Sequence, residues 1–193
     1  MKQIGLLGGS FDPPHKGHLY ISIEAKKILN LDEVWWLITP QNPLKISNPA
    51  TYVERVKNCK IITRGTPIKI KEIDKNIESQ YTYQTIVYLQ KHYSQIKFYW
   101  LMGADNLVNF HKWQKWKEIF SKISIVIFRR HGYNNKALKS STSKTFNNSR
   151  IISSKLSKNN FKELPSWTLV NNKEIKISST EIRNQRKFFR GQH

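Results

Sequence analysis

Five short apolar runs, rich in β-branched and aromatic residues, most constrain what this 193-residue chain can fold into. Those runs that are nearly continuous rather than alternating are typical of strands buried on both faces of a sheet. Helical patterns separate them, and such alternation favours right-handed crossovers and a mostly parallel sheet. The predicted fold class is therefore α/β, a doubly wound and mostly parallel sheet with helices on both faces. The predicted strands are QIGLLG (3–8), EVWWLIT (33–39), IKIKEI (68–73), IKFYWLMG (96–103) and ISIVIF (123–128).

Three segments between these strands are predicted to be helices. Residues 21–29 place Ile21, Ala25, Ile28 and Leu29 on one face. In such a fold, ligands bind outside the carboxyl ends of the strands, where the winding changes direction, so the loops after strands are the expected site. The other two predicted helices are TYVERVKNCKII (51–62) and YTYQTIVYLQKHY (81–93).

The length predicts a single domain over residues 1–193. The polar, lysine-rich stretch 132–165 has weak periodicity and is predicted to be an irregular surface excursion with one short helix at most. Cys59 is the only cysteine, which excludes an intramolecular disulfide and favours a reducing compartment. No window approaches the roughly 20 apolar residues of a membrane span, so a cytoplasmic protein without a membrane partner is predicted.

The charge is strongly positive, since 33 Lys and Arg against 13 Asp and Glu give +20. The lysines are scattered over every segment, which favours a general compositional bias over a focused interface. A diffuse positive field would still steer a phosphorylated substrate. Nucleic-acid binding is a remote alternative that predicts affinity falling steeply with salt. No zinc-finger or RNP-like pattern is present, so nucleic acid is not the predicted primary partner.

The loop after the first predicted strand, LLGGSFDPPHKGHLYI, combines two glycines, two prolines and two histidines. Gly8 and Gly9 are predicted to let the chain turn sharply and to let a ligand approach the backbone. The prolines delay the helix, so that His15 and His18 project together from its first turn, where unpaired N–H groups attract anions. This arrangement suits polyphosphate binding and stabilisation of charge on phosphorus. Zinc ligation by the pair is disfavoured, because no HExxH spacing appears.

A second candidate anion site is ISSTEIR, near the end of the sequence. Ser178 and Glu181 form a capping box, which predicts a helix start. The hydroxyls of Ser179 and Thr180, with Arg183 one turn later, could hold phosphate. From this segment alone, an ordinary capped helix with a solvated arginine is the favoured interpretation.

Taken together, GGSFDPPHKGH and ISSTEIR resemble the HxGH and ISSTxxR signatures of the nucleotidyltransferase superfamily, whose fold is Rossmann-like. WWLITPQNPLK (35–45), YTYQT (81–85) and GADNLVNFHKWQKW (103–116) are similar to bacterial nicotinate-nucleotide adenylyltransferases within it. These matches follow the family's order from Gly8 to Arg183. The resemblance implies adenylyl transfer from ATP to nicotinate mononucleotide, with pyrophosphate release and Mg²⁺ held mainly by ATP phosphates and water.

The resemblance also implies roles for individual residues. Lys45 would meet the mononucleotide phosphate, and the pyridine ring would stack on Trp113. No residue is implied as a protein ligand of the metal. The implied catalytic residues are His15, His18 and Arg183, and the implied mononucleotide site is Lys45, Thr82, Trp113 and Gln114. The implied ATP site is Gly8, Gly9, Ser10, Phe11, His15, His18, Gly103, Asp105, Ser178, Ser179, Thr180 and Arg183.

Several alternatives stay open. Asp105 could be a helix N-cap as well as a contact of the adenosine ribose. Trp113, near Phe110 and Trp116, could be a core aromatic. The acceptor could be nicotinamide mononucleotide or phosphopantetheine. The choice between the acid nicotinate and the amide nicotinamide depends on a few hydrogen-bond donors that the sequence does not identify. One departure is that family members commonly continue through a further C-terminal helical segment, whereas this sequence ends at His193.

Overall fold

A computed structural model describes residues 1–39, 50–72, 81–156, 161 and 163–190. Its strands are β1 (Lys2–Gly9), β2 (Glu33–Ile38), β3 (Ile68–Lys71), β4 (Ile96–Gly103), β5 (Ser124–Phe128) and β6 (Trp167–Val170). Its helices are α1 (Lys16–Leu29), α2 (Tyr52–Ile62), α3 (Thr82–His92), α4 (Ala104–Asn109), α5 (Trp116–Lys122), α6 (Asn134–Leu138), α7 (Ser141–Thr145) and α8 (Ser179–Arg190).

The strands form one sheet in the order β3-β2-β1-β4-β5-β6. Each neighbouring pair among these strands is parallel, which confirms the predicted fold class. The chain winds outward from β1 to β3 and then returns to β4, on the other side of β1. The winding therefore changes direction between β1 and β4, and their carboxyl ends define the position where ligands bind in such sheets.

Two apolar clusters cover the two faces of the sheet, as the continuous apolar strands predicted. In β1, Leu6 packs into one cluster and Leu7 into the other, because successive side chains of a strand point to opposite faces. On one face, α1 and α2 contribute Ala25, Leu29, Val56 and Cys59. On the opposite face, α3, α4 and α5 contribute Ile86, Leu89, Leu107, Ile119 and Phe120.

Two features of the fold differ from the sequence-based predictions. β6 was not predicted, although Trp167 within it is fully buried and pairs with Ile125. The stretch 132–165 contains two short helices, α6 and α7, rather than one at most. Ser140 caps α7 by accepting a hydrogen bond from the Ser143 amide at 3.2 Å. Such local hydrogen bonds let polar residues form helices that hydrophobic periodicity does not reveal.

None of the helices in the described ranges is both long enough and apolar enough to cross a bilayer.

Candidate functional site

The chain leaves β1 through a turn at Phe11, whose φ of 47° lies in the left-handed region. Its side chain is 1% exposed. The ring lies 4.6 Å from the Trp36 ring, nearly parallel to it, and 4.8 Å from the His18 ring. Packing of the ring offsets the backbone strain, so the loop is anchored to the sheet directly before the helix that carries the histidines.

Gly8 and Gly9 do not make this turn, which corrects the prediction. Both lie in β1, and neither is among the described glycines with positive φ. A Cβ on Gly8 would lie 2.7 Å from Cη2 of Trp100, whereas one on Gly9 would lie 3.4 Å from the Phe11 ring. The packing of Trp100 against β1 therefore requires glycine at position 8, independently of any ligand.

His15 and His18 lie together at the start of α1. His15 Nδ1 accepts a hydrogen bond from the Gly17 amide at 3.1 Å, and His18 Nδ1 accepts one from the His15 amide at 3.2 Å. The ring centroids are 3.8 Å apart, which confirms that the two side chains point the same way. Because each Nδ1 is an acceptor, a neutral ring carries its proton on Nε2. The pair therefore offers two Nε2–H donors to an anion.

The surroundings of His15 keep its ring neutral. The pKa of His15 is lowered from 6.5 to about 4, mainly by burial and next by the Arg130 charge, while the carboxylates of Glu181 and Asp105 act in the opposite direction. At neutral pH, His15 is thus a hydrogen-bond donor rather than a cation.

The second anion-binding motif meets the first one. Ser179 Oγ donates a hydrogen bond to the Pro13 carbonyl at 2.9 Å. The Arg183 guanidinium donates to the Asp12 carbonyl and lies 4.0 Å from the Asp12 carboxylate. These contacts join residues 166 and 171 positions apart in sequence, which converge at the carboxyl end of β1.

The predicted capping box at the start of α8 is present. Ser178 Oγ accepts from the Glu181 amide at 3.1 Å and donates to Glu181 Oε2 at 2.9 Å. Thr180 Oγ1 accepts from Arg183 Nη2 at 3.2 Å. The hydroxyls of this segment thus hold the helix start and the arginine in place.

Asp105 lies in the first turn of α4, directly after β4. The helix N-cap is Gly103, and the α4 cap has no side-chain hydrogen bond, so the N-cap alternative for Asp105 is wrong. Asp105 Oδ2 accepts from Arg130 Nη1 at 2.5 Å. The buried Oδ1 has no hydrogen-bond partner within the described ranges. A buried unpaired acceptor at the end of β4 suits a donor on a ligand, such as a sugar hydroxyl.

Arg130 is a candidate site residue that the sequence reasoning missed. Arg130, which follows β5, forms an ion pair with Asp105 after β4, and its charge lowers the pKa of His15 in the loop after β1. It therefore connects the ends of these three strands. One arginine among 33 basic residues carries little signal by itself. Its place two residues after Phe128, the end of a strand predicted from the sequence, is the signal that could have found it.

Trp113 lies after α4, on the opposite face of the sheet from α1. Its indole stacks on Phe110 with centroids 4.6 Å apart and contacts the Trp100 ring edge-on at 6.5 Å. Trp113 packs against the core, as one of the sequence-based alternatives predicted, but it is only partly buried. Part of its indole is therefore accessible. The main-chain N–H of Gln114 makes no hydrogen bond to any described residue.

Thr82 is the first residue of α3, and its neighbour Tyr83 contacts the turn that follows Gln114. Lys115 Nζ lies 4.6 Å from the centroid of the Tyr83 ring. The structure thus brings the segments of Thr82 and Trp113 together. Lys45 lies outside the described residues.

The donors gathered at the carboxyl end of β1 are imidazoles, hydroxyls and guanidinium groups, which complement phosphate oxygens. Within the described ranges, no three His, Cys, Asp or Glu side chains are grouped so that they could hold a metal ion. These donors fit a metal that arrives bound to phosphate, because Mg²⁺ usually keeps phosphate and water ligands.

Comparison with known proteins agrees with this geometry. The cytidylyltransferase-like family model matches residues 6–185. A protein of Ruegeria sp. (strain TM1040), named "Probable nicotinate-nucleotide adenylyltransferase", is 40% identical over 182 residues, which are 94% of this chain and 96% of that protein. The protein of the same name from Pelagibacter ubique (strain HTCC1062) is 42% identical over 182 residues, 94% of this chain and 92% of that protein.

Solved structures show the same fold. The Plasmodium falciparum nicotinic acid mononucleotide adenylyltransferase complexed with NaAD has a TM-score of 0.70 at 19% identity, over 95% of this chain and 83% of that one. Its complex with APC has a TM-score of 0.68 at 19% identity, with the same 95% and 83% coverage. By its match to the family model and to close relatives along nearly its whole length, this chain belongs to the cytidylyltransferase-like family, among the nicotinate-nucleotide adenylyltransferases.

Proposed function

We propose that this protein transfers the adenylyl group of ATP to nicotinate mononucleotide, producing nicotinate adenine dinucleotide and pyrophosphate. The observation that carries the proposal is the convergence of the two anion-binding motifs. Ser179 Oγ donates to the Pro13 carbonyl at 2.9 Å, so the start of α8 contacts the loop that leads into α1. Two helix N-termini with added donors suit a polyphosphate.

In the proposed reaction, a phosphate oxygen of the mononucleotide attacks the α-phosphorus of ATP. The bond between that phosphorus and the oxygen bridging to the β-phosphate breaks, and pyrophosphate leaves with the electron pair. The attacking oxygen is already ionised at neutral pH, so no general base is required. The protein has to align the two substrates and to stabilise the charge that develops on the phosphates.

The residues at the start of α1 and α8 would provide this stabilisation. His15 and His18 would donate from Nε2 to oxygens of the triphosphate, His15 as a neutral ring because burial lowers its pKa to about 4. Arg183 would bring positive charge to the β- and γ-phosphates, with Ser179 and Thr180 supporting it. Bound Mg²⁺ would neutralise charge on the leaving pyrophosphate.

The remaining contacts divide between the two substrates. Asp105 would accept from the adenosine ribose through Oδ1, which has no partner among the described residues. Trp113 would stack on the pyridine ring, beside Thr82, and the Gln114 amide would meet the carboxylate. Lys45 would meet the mononucleotide phosphate. The rest of the proposed ATP site is Gly8, Gly9, Ser10, Phe11, Gly103 and Ser178, with Arg130 added from the structure.

The proposal places the reaction in the cytoplasm, as one domain, with ATP and nicotinate mononucleotide as partners and without nucleic acid as a primary partner. The test is pyrophosphate release from ATP and Mg²⁺ with three acceptors side by side: nicotinate mononucleotide, nicotinamide mononucleotide and phosphopantetheine. We expect the highest kcat/KM with nicotinate mononucleotide. A higher kcat/KM with either other acceptor would contradict the proposed substrate, and no release with any of them would contradict the activity.

A further inference from the structure

Arg55 is a charged side chain buried beneath the loop that follows β1, and it is not among the proposed phosphate donors. It lies in the first turns of α2 and is 2% exposed. Burial lowers its pKa, and the Asp12 carboxylate raises it. Arginine nevertheless stays charged at neutral pH, so α2 keeps a cation beneath the loop that follows β1.

The Arg55 guanidinium connects three main-chain segments. Nη1 donates to the Ser10 carbonyl at 2.7 Å and to the Thr39 carbonyl at 2.8 Å. Nε donates to the Ala50 carbonyl at 3.1 Å. One side chain therefore holds the loop after β1, the chain just after β2 and the chain just before α2.

One of these attachments lies in the proposed phosphate-binding loop. Ser10 begins the loop that leads to His15, and Asp12 in the same loop faces Arg183 at 4.0 Å. Thr39 follows β2 and Ala50 precedes α2. Arg55 thus joins the loop assigned to ATP to the chain at the end of β2 and at the start of α2.

The chemistry requires arginine in this position. A guanidinium is a planar fork that can donate in several fixed directions, whereas a lysine ammonium is a compact charge on a flexible stem. An apolar residue would leave three carbonyls without this donor, and unpaired buried acceptors are costly.

We propose that Arg55 is a positioning residue for adenylyl transfer. By holding the Ser10 and Thr39 carbonyls with one guanidinium, it fixes the phosphate-binding loop relative to the chain after β2, and so keeps the donors at the start of α1 in the geometry that adenylyl transfer requires. It touches neither substrate. This inference rests on the proposed function.

The test compares Arg55→Lys and Arg55→Ala with Cys59→Ala, a control that opens a cavity one turn further along the same helix. Misalignment should lower kcat by about 10- to 100-fold in both Arg55 variants, with each KM changed less than about threefold. Millimolar guanidinium should partly restore kcat in Arg55→Ala, whereas urea should not. Cys59→Ala should keep the wild-type kcat.

Amide hydrogen exchange provides a readout that does not depend on turnover. Residues 10–15 should exchange faster in Arg55→Ala than in the wild type or in Cys59→Ala. Wild-type kcat in folded Arg55→Ala, a change in KM alone, or an equal loss of kcat in Cys59→Ala would overturn the inference. If the wild type releases no pyrophosphate, the proposed function fails, and unchanged exchange in residues 10–15 would overturn the placement of Arg55 as well.

Discussion

His15 and His18 each have two tasks at the start of α1, a hydrogen bond to the main chain and a proposed hydrogen bond to phosphate. The Nδ1 atom of His15 caps the helix through the Gly17 amide, and His18 accepts from the His15 amide, so each ring is oriented by the main chain. This orientation directs both Nε2 atoms away from the helix backbone. In each ring, Nδ1 therefore accepts from the main chain, and Nε2, on the opposite side of the ring, would donate to phosphate.

Replacing His18 by asparagine should separate these tasks. In His18→Asn, the side-chain oxygen can accept from the His15 amide in place of Nδ1, but the Nε2–H donor is lost. We expect kcat to fall by about 10²-fold or more, as when one preorganised donor is removed, with little change in Tm. Steady-state kinetics measure kcat, and thermal unfolding measures Tm. The matched control is His92→Asn, at an exposed histidine of α3. Unimpaired turnover in folded His18→Asn would refute the role of His18.

The lowered pKa of His15 makes stability depend on pH. The unfolded chain takes up a proton on His15 near pH 6.5, whereas the folded chain does so near about 4. The unfolded state therefore binds more protons between these values, so this contribution to the free energy of unfolding is complete above pH 6.5 and declines as pH falls toward 4. NMR titration should give a His15 ring midpoint near 4. A midpoint at the ordinary value would show that the ring is not desolvated.

At the scale of elements, the packing of Trp100 from β4 against β1 depends on the missing Cβ of Gly8. Gly8→Ala would place a methyl group 2.7 Å from Trp100, so we expect a loss of about 1–3 kcal/mol in the free energy of unfolding. Gly9→Ala meets Phe11 at an ordinary 3.4 Å and should cost less. Urea unfolding of Gly8→Ala, Trp100→Phe and the double variant measures the coupling, since a smaller ring should relieve the clash. Equal stability of Gly8→Ala and Gly9→Ala would contradict this packing.

Trp113, in the turn between α4 and α5, is expected to affect the KM for only one of the two substrates. Trp113→Ala should raise the KM for nicotinate mononucleotide about tenfold or more, because stacking on an aromatic side chain is worth about 1–3 kcal/mol. The KM for ATP should change little. Trp116→Ala, which removes a half-buried indole packed against the same cluster, is the control for general destabilisation. Equal effects of Trp113→Ala on both substrates would exclude the stacking role.

Elements with strong local patterns were predictable from the sequence, and elements fixed by tertiary contacts were not. β1, β2, β4 and β5 contain apolar runs buried on both faces, whereas β6 has only four residues and follows polar sequence. The two anion motifs could be located because glycine, proline, histidine and capping residues have local meaning. Arg55 could not be distinguished from other basic residues, since its role depends on carbonyls that only folding brings near. Arg130 has one signal in the sequence, its position after a predicted strand, but its pairing with Asp105 appears only in the fold.

At the scale of the whole molecule, the reversal of winding between β1 and β4 creates the site. His15 lies at the end of the loop after β1, and Asp105 lies in the first turn of α4, directly after β4. Helix α8, near the end of the described chain, places Arg183 beside Asp12. The net charge of +20 is spread over the sequence, so the diffuse positive field would attract phosphorylated substrates to the protein as a whole.

The central claim is that the adenylyl group itself is transferred. ATP labelled at either the α- or the γ-phosphate, incubated with the wild-type protein, Mg²⁺ and nicotinate mononucleotide, tests it most directly. Attack at the α-phosphorus predicts that the α label appears in nicotinate adenine dinucleotide and that the γ label appears in pyrophosphate. Finding the γ label on the mononucleotide, or the α label in ADP, would contradict the account.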